Sequence, residues 1–569
     1  LVNSSLPVKI SKQKENYSAQ QNFKAKELFV LQNLSQKLGK QIFQTYKSLN
    51  NWHAFQIKLF WEGILVGIFG GLVISLFRFL LTRVEDLRQI VYDAIAANWG
   101  LFSPAALGIL AVLLLVAALL TALVKYEPMA SGSGIPQVKA IIMGLMKMRW
   151  FRILWVKIVG GVVGIGYGLS LGREGPSIQI GAACAQGLSR LLGRTRMEER
   201  YLITSGAGAG LATAFNAPLA GVIFSMEELH RNFSGVVLLP AMTAALTATF
   251  ISRIFFGPDT IFTFYGLPRM PLEHVPYALL AAIVAGFGGV IFNYGLLNIP
   301  KFYNLPFFRH NLFLKFAFSL LCATILGFTL PQVLGGGNAL VNKLAVLQVS
   351  AATLGLLIAA KFIFTLISYG TGVPGGFFLP MLVLGALTGD LCAHAFTALG
   401  WLPASIVPNV IVVSMAAFFS ASVRAPITGT VLILEMTGSF QHLMVLAMGA
   451  AVAYVVAELC GSQPIYEELM VRALKNKGNP ALVTGERNLV ELAVCSGSLL
   501  DNKQIRHIKW PPQSVVIDVK RGEEELIPAG DLLIHSGDFV YVLTDTEHEP
   551  AVRALGQEIQ APGNLYGDF

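Results

Sequence analysis

From Leu101 to Val124 the chain runs without one ionisable side chain, which is longer than the roughly 18 apolar residues needed to cross a bilayer. In hydrocarbon such a stretch is a helix, because its backbone N–H and C=O groups must be satisfied within the segment. Similar blocks follow along the chain. With 54% hydrophobic and 13% charged residues, against about 25% charged in soluble domains, the sequence is an all-α polytopic membrane protein. A soluble enzyme with one buried core is excluded. The 56 glycines lack the triplet period of collagen and sit inside apolar blocks, where they permit close helix packing or interrupt helices.

Net charge is +9, but no stripe of bases and aromatics lies outside the apolar blocks, so nucleic acid is not an expected partner. Residues 1–60 hold nine lysines and two acids, which by the positive-inside rule places the N-terminus in the cytoplasm. That segment has no short apolar core followed by a small-residue cleavage site, so a cleaved leader is not expected. Phe23, Leu28, Leu31, Leu34 and Leu38 suit an amphipathic helix on the membrane surface. Cys184, Cys322, Cys392, Cys460 and Cys495 show no C-x-x-C spacing, so neither disulfides nor a metal site is expected, and the five read as packing residues.

Composition divides the chain into a cytoplasmic segment (1–55), a membrane domain (56–475, in halves of about 56–256 and 272–475), a small α/β domain (485–557) and a tail (558–569). Ser514–Lys520 and Asp538–Thr544 alternate as short strands. The membrane domain repeats itself. Asn216-Ala-Pro-Leu-Ala-Gly221, running on to Glu227, aligns with Arg424-Ala-Pro-Ile-Thr-Gly429, running on to Glu435. Gly172 and Pro176 of Gly172-Arg-Glu-Gly-Pro176 align with Gly376 and Pro380, and Ser133-Gly134 with Gly336-Gly337. Paired halves create a midplane site at their interface, which fits a transporter better than an enzyme.

Gly132-Ser-Gly-Ile-Pro136, Gly172-Arg-Glu-Gly-Pro176 and Gly375-Gly-Phe-Phe-Leu-Pro380 each place glycines and a proline ahead of an apolar run. Such sequences start helices, since proline suits the first turn and glycine lets the backbone approach a ligand. A helix that begins inside the membrane leaves its first amides unpaired, and the partial positive charge there attracts an anion without a full counter-charge.

In order and spacing these motifs, with Tyr466, resemble the anion-site segments of the CLC chloride channels and proton-coupled chloride transporters. The resemblance implies the CLC fold, with two inverted halves of tilted and broken helices, and a homodimer with one pathway per subunit. It makes Ser133 and Tyr466 hydroxyl donors to a central chloride, in a site completed by the backbone at Gly134, Ile135, Gly175, Phe377 and Phe378. Hydroxyls and amides hold a weakly hydrated anion loosely enough for release. A central Ser133 rather than a proline in the first motif favours chloride over nitrate by resemblance.

Glu174 matches the family's outer gate. A carboxylate at a helix start occupies an anion site when ionised and vacates it when protonated, and the bland alternative is a helix cap. Arg173 either attracts anions to the entrance or forms an ion pair. Glu228 matches the inner proton-transfer glutamate of CLC exchangers, whereas Glu227 and Glu435 read as structural. Gln137 and Lys139 stand where some well-studied relatives carry acids, so the inner water and proton route is expected to differ here. Lys157 matches a basic position in relatives and either concentrates anions or snorkels to the interface.

The order Ser496-Gly-Ser, Ile517–Gly522, Ile527-Pro-Ala-Gly530, His535-Ser-Gly-Asp-Phe539 resembles the TrkA C-terminal regulatory domain, which implies pairing and a small-molecule regulator. Asp545 to Glu549 with His548 lacks a metal-binding spacing and reads as a solvated turn. The expected function is chloride/proton antiport across a plasma membrane, with both termini cytoplasmic, no cofactor and no enzymatic chemistry. The alternatives are a passive anion channel, a fluoride-selective relative and a membrane receptor whose tail does the work.

Overall fold

A computed structural model describes residues 52–557 apart from 99–103, 232, 263, 265–266, 310, 345–348, 476–486, 496, 522–523 and 546–547. The amphipathic segment around Phe23–Leu38 and the tail 558–569 lie outside the described residues. The chain forms two compact units, one of residues up to Ile142 with Lys147–Ser462 and one of Met143–Met146 with Gln463 onward.

In the first unit the first half runs α1 (Trp52–Asn98), α2 (Pro104–Tyr126), α3 (Ile135–Ile142), α4 (Trp150–Tyr167), α5 (Glu174–Leu191), α6 (Arg196–Phe215), α7 (Pro218–Phe224) and α8 (Gly235–Phe256). The second half runs α9 (Val275–Phe302), α10 (Leu312–Thr329), α11 (Asn338–Leu344), α12 (Ala351–Gly370), α13 (Phe378–Ala398), α14 (Val407–Val423), α15 (Pro426–Thr437) and α16 (Leu443–Leu459). Among the described residues ten helices are long and apolar enough to cross a membrane. Their outward faces carry exposed Leu115, Trp155, Phe250 and Ile254, as a lipid-facing surface requires.

The two Ala-Pro motifs build the same local structure. Asn216 ends α6 and Arg424 ends α14, both left-handed (φ 56° and 67°), and Pro218 and Pro426 open the next helices. The glutamates that follow then cross over. Glu227 accepts the amides of Ile427 (3.1 Å) and Thr428 (2.6 Å) and the Thr428 hydroxyl (2.7 Å), while Glu435 accepts the amides of Leu219 (3.1 Å) and Ala220 (2.8 Å). Each carboxylate caps the helix of the other half, which satisfies donors that lipid would leave bare. The structural role expected for this pair is what the geometry shows.

Glycine sets the closest packing in the first half. A Cβ on Gly181 of α5 would meet the Gly206 carbonyl of α6 at 2.0 Å, so these two helices touch backbone to backbone.

The second unit holds α17 (Ile465–Lys475) and an antiparallel sheet ordered β1 (Arg487–Ala493), β6 (Phe539–Asp545), β3 (Val515–Arg521), β4 (Glu524–Leu526). β2 (Lys503–Gln504) pairs with β5 (Leu533–Ile534), and α18 (Glu549–Gln557) closes the chain. The expected strands are present, each beginning one residue later than the alternation implied. Val490 pairs with Val542 over a core that includes Leu492, Val519, Ile534, Val540 and Val552. Arg521 grips the buried Asp538 through two hydrogen bonds of 2.8 Å, which hold that carboxyl below the usual aspartate range.

Candidate anion and proton site

The three glycine-proline breaks do start helices, and the starts converge. Gly132 donates to the Gly372 carbonyl (3.1 Å) and Gly375 donates back to the Gly132 carbonyl (3.1 Å). Gly172 and Gly376 form an isolated antiparallel bridge, with N–H···O distances of 2.6 and 2.9 Å. A Cβ on Gly175 would lie 2.7 Å from the Ser133 carbonyl oxygen, and one on Gly376 would lie 3.2 Å from the Gly175 amide nitrogen. Only glycines allow three loops to meet this closely.

Neither α5 nor α13 is capped by the side chain of its own N-cap residue, Arg173 and Phe377, so the partial positive charge of both helix starts is not taken up by a local cap. Ser133 is buried, its Oγ accepts the Ile135 amide (3.3 Å), and its side chain also hydrogen-bonds with Tyr369. Gly134 is left-handed (φ 90°), and Gln179 lies 2.5 Å from where its Cβ would be. Ile135 opens α3, and Phe377 and Phe378 open α13, all fully buried. Phe378 packs on Phe215 (5.3 Å) and Phe419 (4.9 Å). The junction therefore combines polar amides with apolar walls. Tyr466 is fully buried in the first turn of α17, in the second unit.

Glu174 is the first residue of α5 and wholly buried. Its carboxyl folds over Gly172, whose Cβ would stand 2.1 Å from Oε2 and 3.1 Å from the Leu379 side chain in the first turn of α13. Arg173 lines a cavity of about 420 Å³ with Glu85, Asp86, Arg88, Lys343 and Gly335–Gly337. Among the described residues no carboxylate lies within 4 Å of Arg173, whose side chain lines the cavity together with that of Glu85.

Glu228 lies in a π-helical turn, Ser225–His230, that extends α7. Such turns mark functional sites more often than ordinary helix. It is buried and bonded to Lys139 of α3 at 2.8 Å. The short helix α3 thus has the anion loop at its start and the partner of the second carboxylate one turn on.

The sequence signature described as voltage gated chloride channel matches residues 113–458. The chain belongs to this family, the CLC proteins. It is 34% identical over 423 residues to a "H(+)/Cl(-) exchange transporter ClcA" of Vibrio cholerae, across 73% of this chain and 89% of that one. A transporter of the same name from Citrobacter koseri is 32% identical over 439 residues, 74% of this chain and 90% of that one. The crystal structure of a slow cyanobacterial Cl-/H+ antiporter superposes at a TM-score of 0.68 with 32% identity, covering 74% of this chain and 99% of that one. A eukaryotic CLC transporter has the same fold, with a TM-score of 0.62 at 24% identity and 74% of each chain covered. The signature of the TrkA-C domain matches residues 489–555, so this CLC protein carries a TrkA-C domain within its second unit.

Three features of this CLC chain escaped sequence reasoning. Lys157 does not snorkel: it is fully buried and donates to the carbonyls of Ala130 (3.0 Å) and Gly132 (2.6 Å). Lys361 is its repeat twin, equally buried, donating to Val333 (2.9 Å) and Gly335 (2.7 Å). The offset that aligns Gly172 with Gly376 also aligns these lysines, and that was the available signal. Tyr369 packs edge-on against Phe377 (4.8 Å) and brings its hydroxyl to 3.6 Å from where a Gly132 Cβ would stand; no spacing rule points to it. Cys460 and Cys495 are exposed, which corrects their reading as packing residues. Among the described residues no group of three His, Cys, Asp or Glu side chains could hold a metal, and His548 bonds only Asp545 (2.6 Å).

Proposed function

We propose that this CLC chain exchanges chloride for protons. The observation that carries the reading is the convergence of three uncapped or hydroxyl-lined helix starts on one buried junction, with a buried carboxylate, Glu174, at its edge. A chloride at the junction accepts from Ser133 and from the amides of Phe377 and Phe378, with Gly134, Ile135 and Gly175 supplying the close backbone. No full positive charge is in contact with it, so it leaves readily.

Glu174, ionised, competes for the same amides and shuts the path; protonated, it loses that attraction and swings out carrying the proton. Arg173 draws anions into the cavity in front of it. Glu228 takes the proton from the other side, and its acid at that position favours exchange over a passive channel. The exchange activity for which the similar proteins are named supports chloride and protons as the substrates. The protein sits as a homodimer in the plasma membrane, with both termini cytoplasmic and a small regulator on the TrkA-C domain.

The test is purified protein in liposomes under a chloride gradient, with external chloride and pH followed together. Wild type moves protons uphill, Glu228→Gln keeps chloride flux and loses proton flux, and Glu174→Gln loses the proton flux as well. Chloride flux with no proton movement in wild type refutes exchange and makes the protein a channel. Fluoride flux clearly above chloride flux refutes the substrate.

A further inference from the structure

We propose that Lys139 is a positioning residue for proton transfer: it holds Glu228 as a carboxylate against the helix of the anion loop and so sets the acidity at which that carboxylate is loaded. The inference rests on the exchange reading above. Lys139 Nζ and Glu228 Oε1 are 2.8 Å apart, and both side chains are nearly closed to solvent, at 2% and 3% exposure. A cation in hydrogen-bond contact favours the ionised form of its partner, and more strongly away from water. The other departure from an acidic sequence, Gln137, is turned away and donates to the Ser131 carbonyl (3.1 Å).

The remaining charged groups around the turn are engaged elsewhere or exposed. On its own element, Glu227 caps α15 and His230 packs on Tyr201, with Arg231 following. On α6, Glu198 bonds Lys58 and Thr195, Glu199 accepts from Gln186, and Arg196 and Arg200 are exposed. On α8 the ionisable residue is Arg253, which bonds Asn216. α3 also packs on α5, the helix that begins with Glu174. A charge change at Glu228 therefore acts on α3, whose first residue, Ile135, donates its amide to Ser133, which gives proton loading and anion binding a shared mechanical part.

The full-length protein in liposomes tests this, with proton and chloride fluxes recorded against the pH on the Glu228 side. In Lys139→Gln the pH of half-maximal proton flux rises by about 1–3 units, and Lys139→Arg, which keeps the charge, restores the wild-type profile. Lys139→His, whose charge fades near neutrality, gives proton flux above wild type at about pH 7.5 and equal to it in acid; this variant decides the matter if the glutamine variant does not fold. A proton-flux profile of a folded Lys139→Gln or Lys139→His that superposes on wild type overturns the role of Lys139 while exchange stands. A wild type that moves chloride without protons overturns both.

Discussion

Removing the crossed caps tests how the two halves are joined. Glu227 receives three hydrogen bonds from the start of α15, and Glu435 receives two from the start of α7. A hydrogen bond to a charged acceptor contributes about 1.5–3 kcal/mol, and neighbouring bonds are not additive, so truncation costs about 4 kcal/mol for Glu227→Ala and about 2–3 kcal/mol for Glu435→Ala. Each kcal/mol moves the melting temperature of so long a chain by at most about 2 °C. Thermal melts in one detergent then rank wild type above Glu435→Ala above Glu227→Ala, with Glu227→Gln recovering part of the loss through its remaining acceptor oxygen. Equal melting of both alanine variants, or no shift in either, refutes the reasoning, because it means the capped amides find other partners.

Three further outcomes follow from the geometry. Gly175→Ala forces a methyl to 2.7 Å from the Ser133 carbonyl and 3.0 Å from its Cα, so chloride flux in liposomes falls at least about tenfold while the tail unit is unaffected. Lys361→Met removes the donor to Val333 and Gly335 beneath the cavity loop; with two buried carbonyls unpaired at about 1–3 kcal/mol each, the melting temperature drops by several degrees. In the TrkA-C domain, Arg521 holds the Asp538 carboxyl below its usual range, so the stability this pair contributes is present above the ordinary aspartate value of about 3.9 and is lost as pH falls through the depressed one. Hydrogen exchange at β3 and β6 rises on acidification below about pH 4 in wild type, and in Asp538→Asn it is already raised at neutral pH.

Much of the site was legible because membrane insertion makes its grammar sparse. A glycine and a proline inside an apolar run have few purposes there, so Gly132–Pro136, Gly172–Pro176 and Gly375–Pro380 marked helix starts, and the repeat paired Glu227 with Glu435. What the repeat could not give is which buried group meets which. Lys139 and Glu228 are 89 residues apart and belong to one half, so pseudo-symmetry is silent about their contact. The repeat offset pairs Lys157 with Lys361, but their burial is set by carbonyls ahead of the loops, and backbone acceptors leave no residue signature. Tyr369 reaches the anion loop across the two halves, a contact that only their docking creates.

The most direct measurement is the reversal potential of wild-type protein in a planar bilayer with equal chloride on both sides and a pH difference across it. Coupled exchange predicts a non-zero reversal potential that moves with the pH difference and changes sign when that difference is inverted. A potential that stays at zero at every pH difference contradicts it.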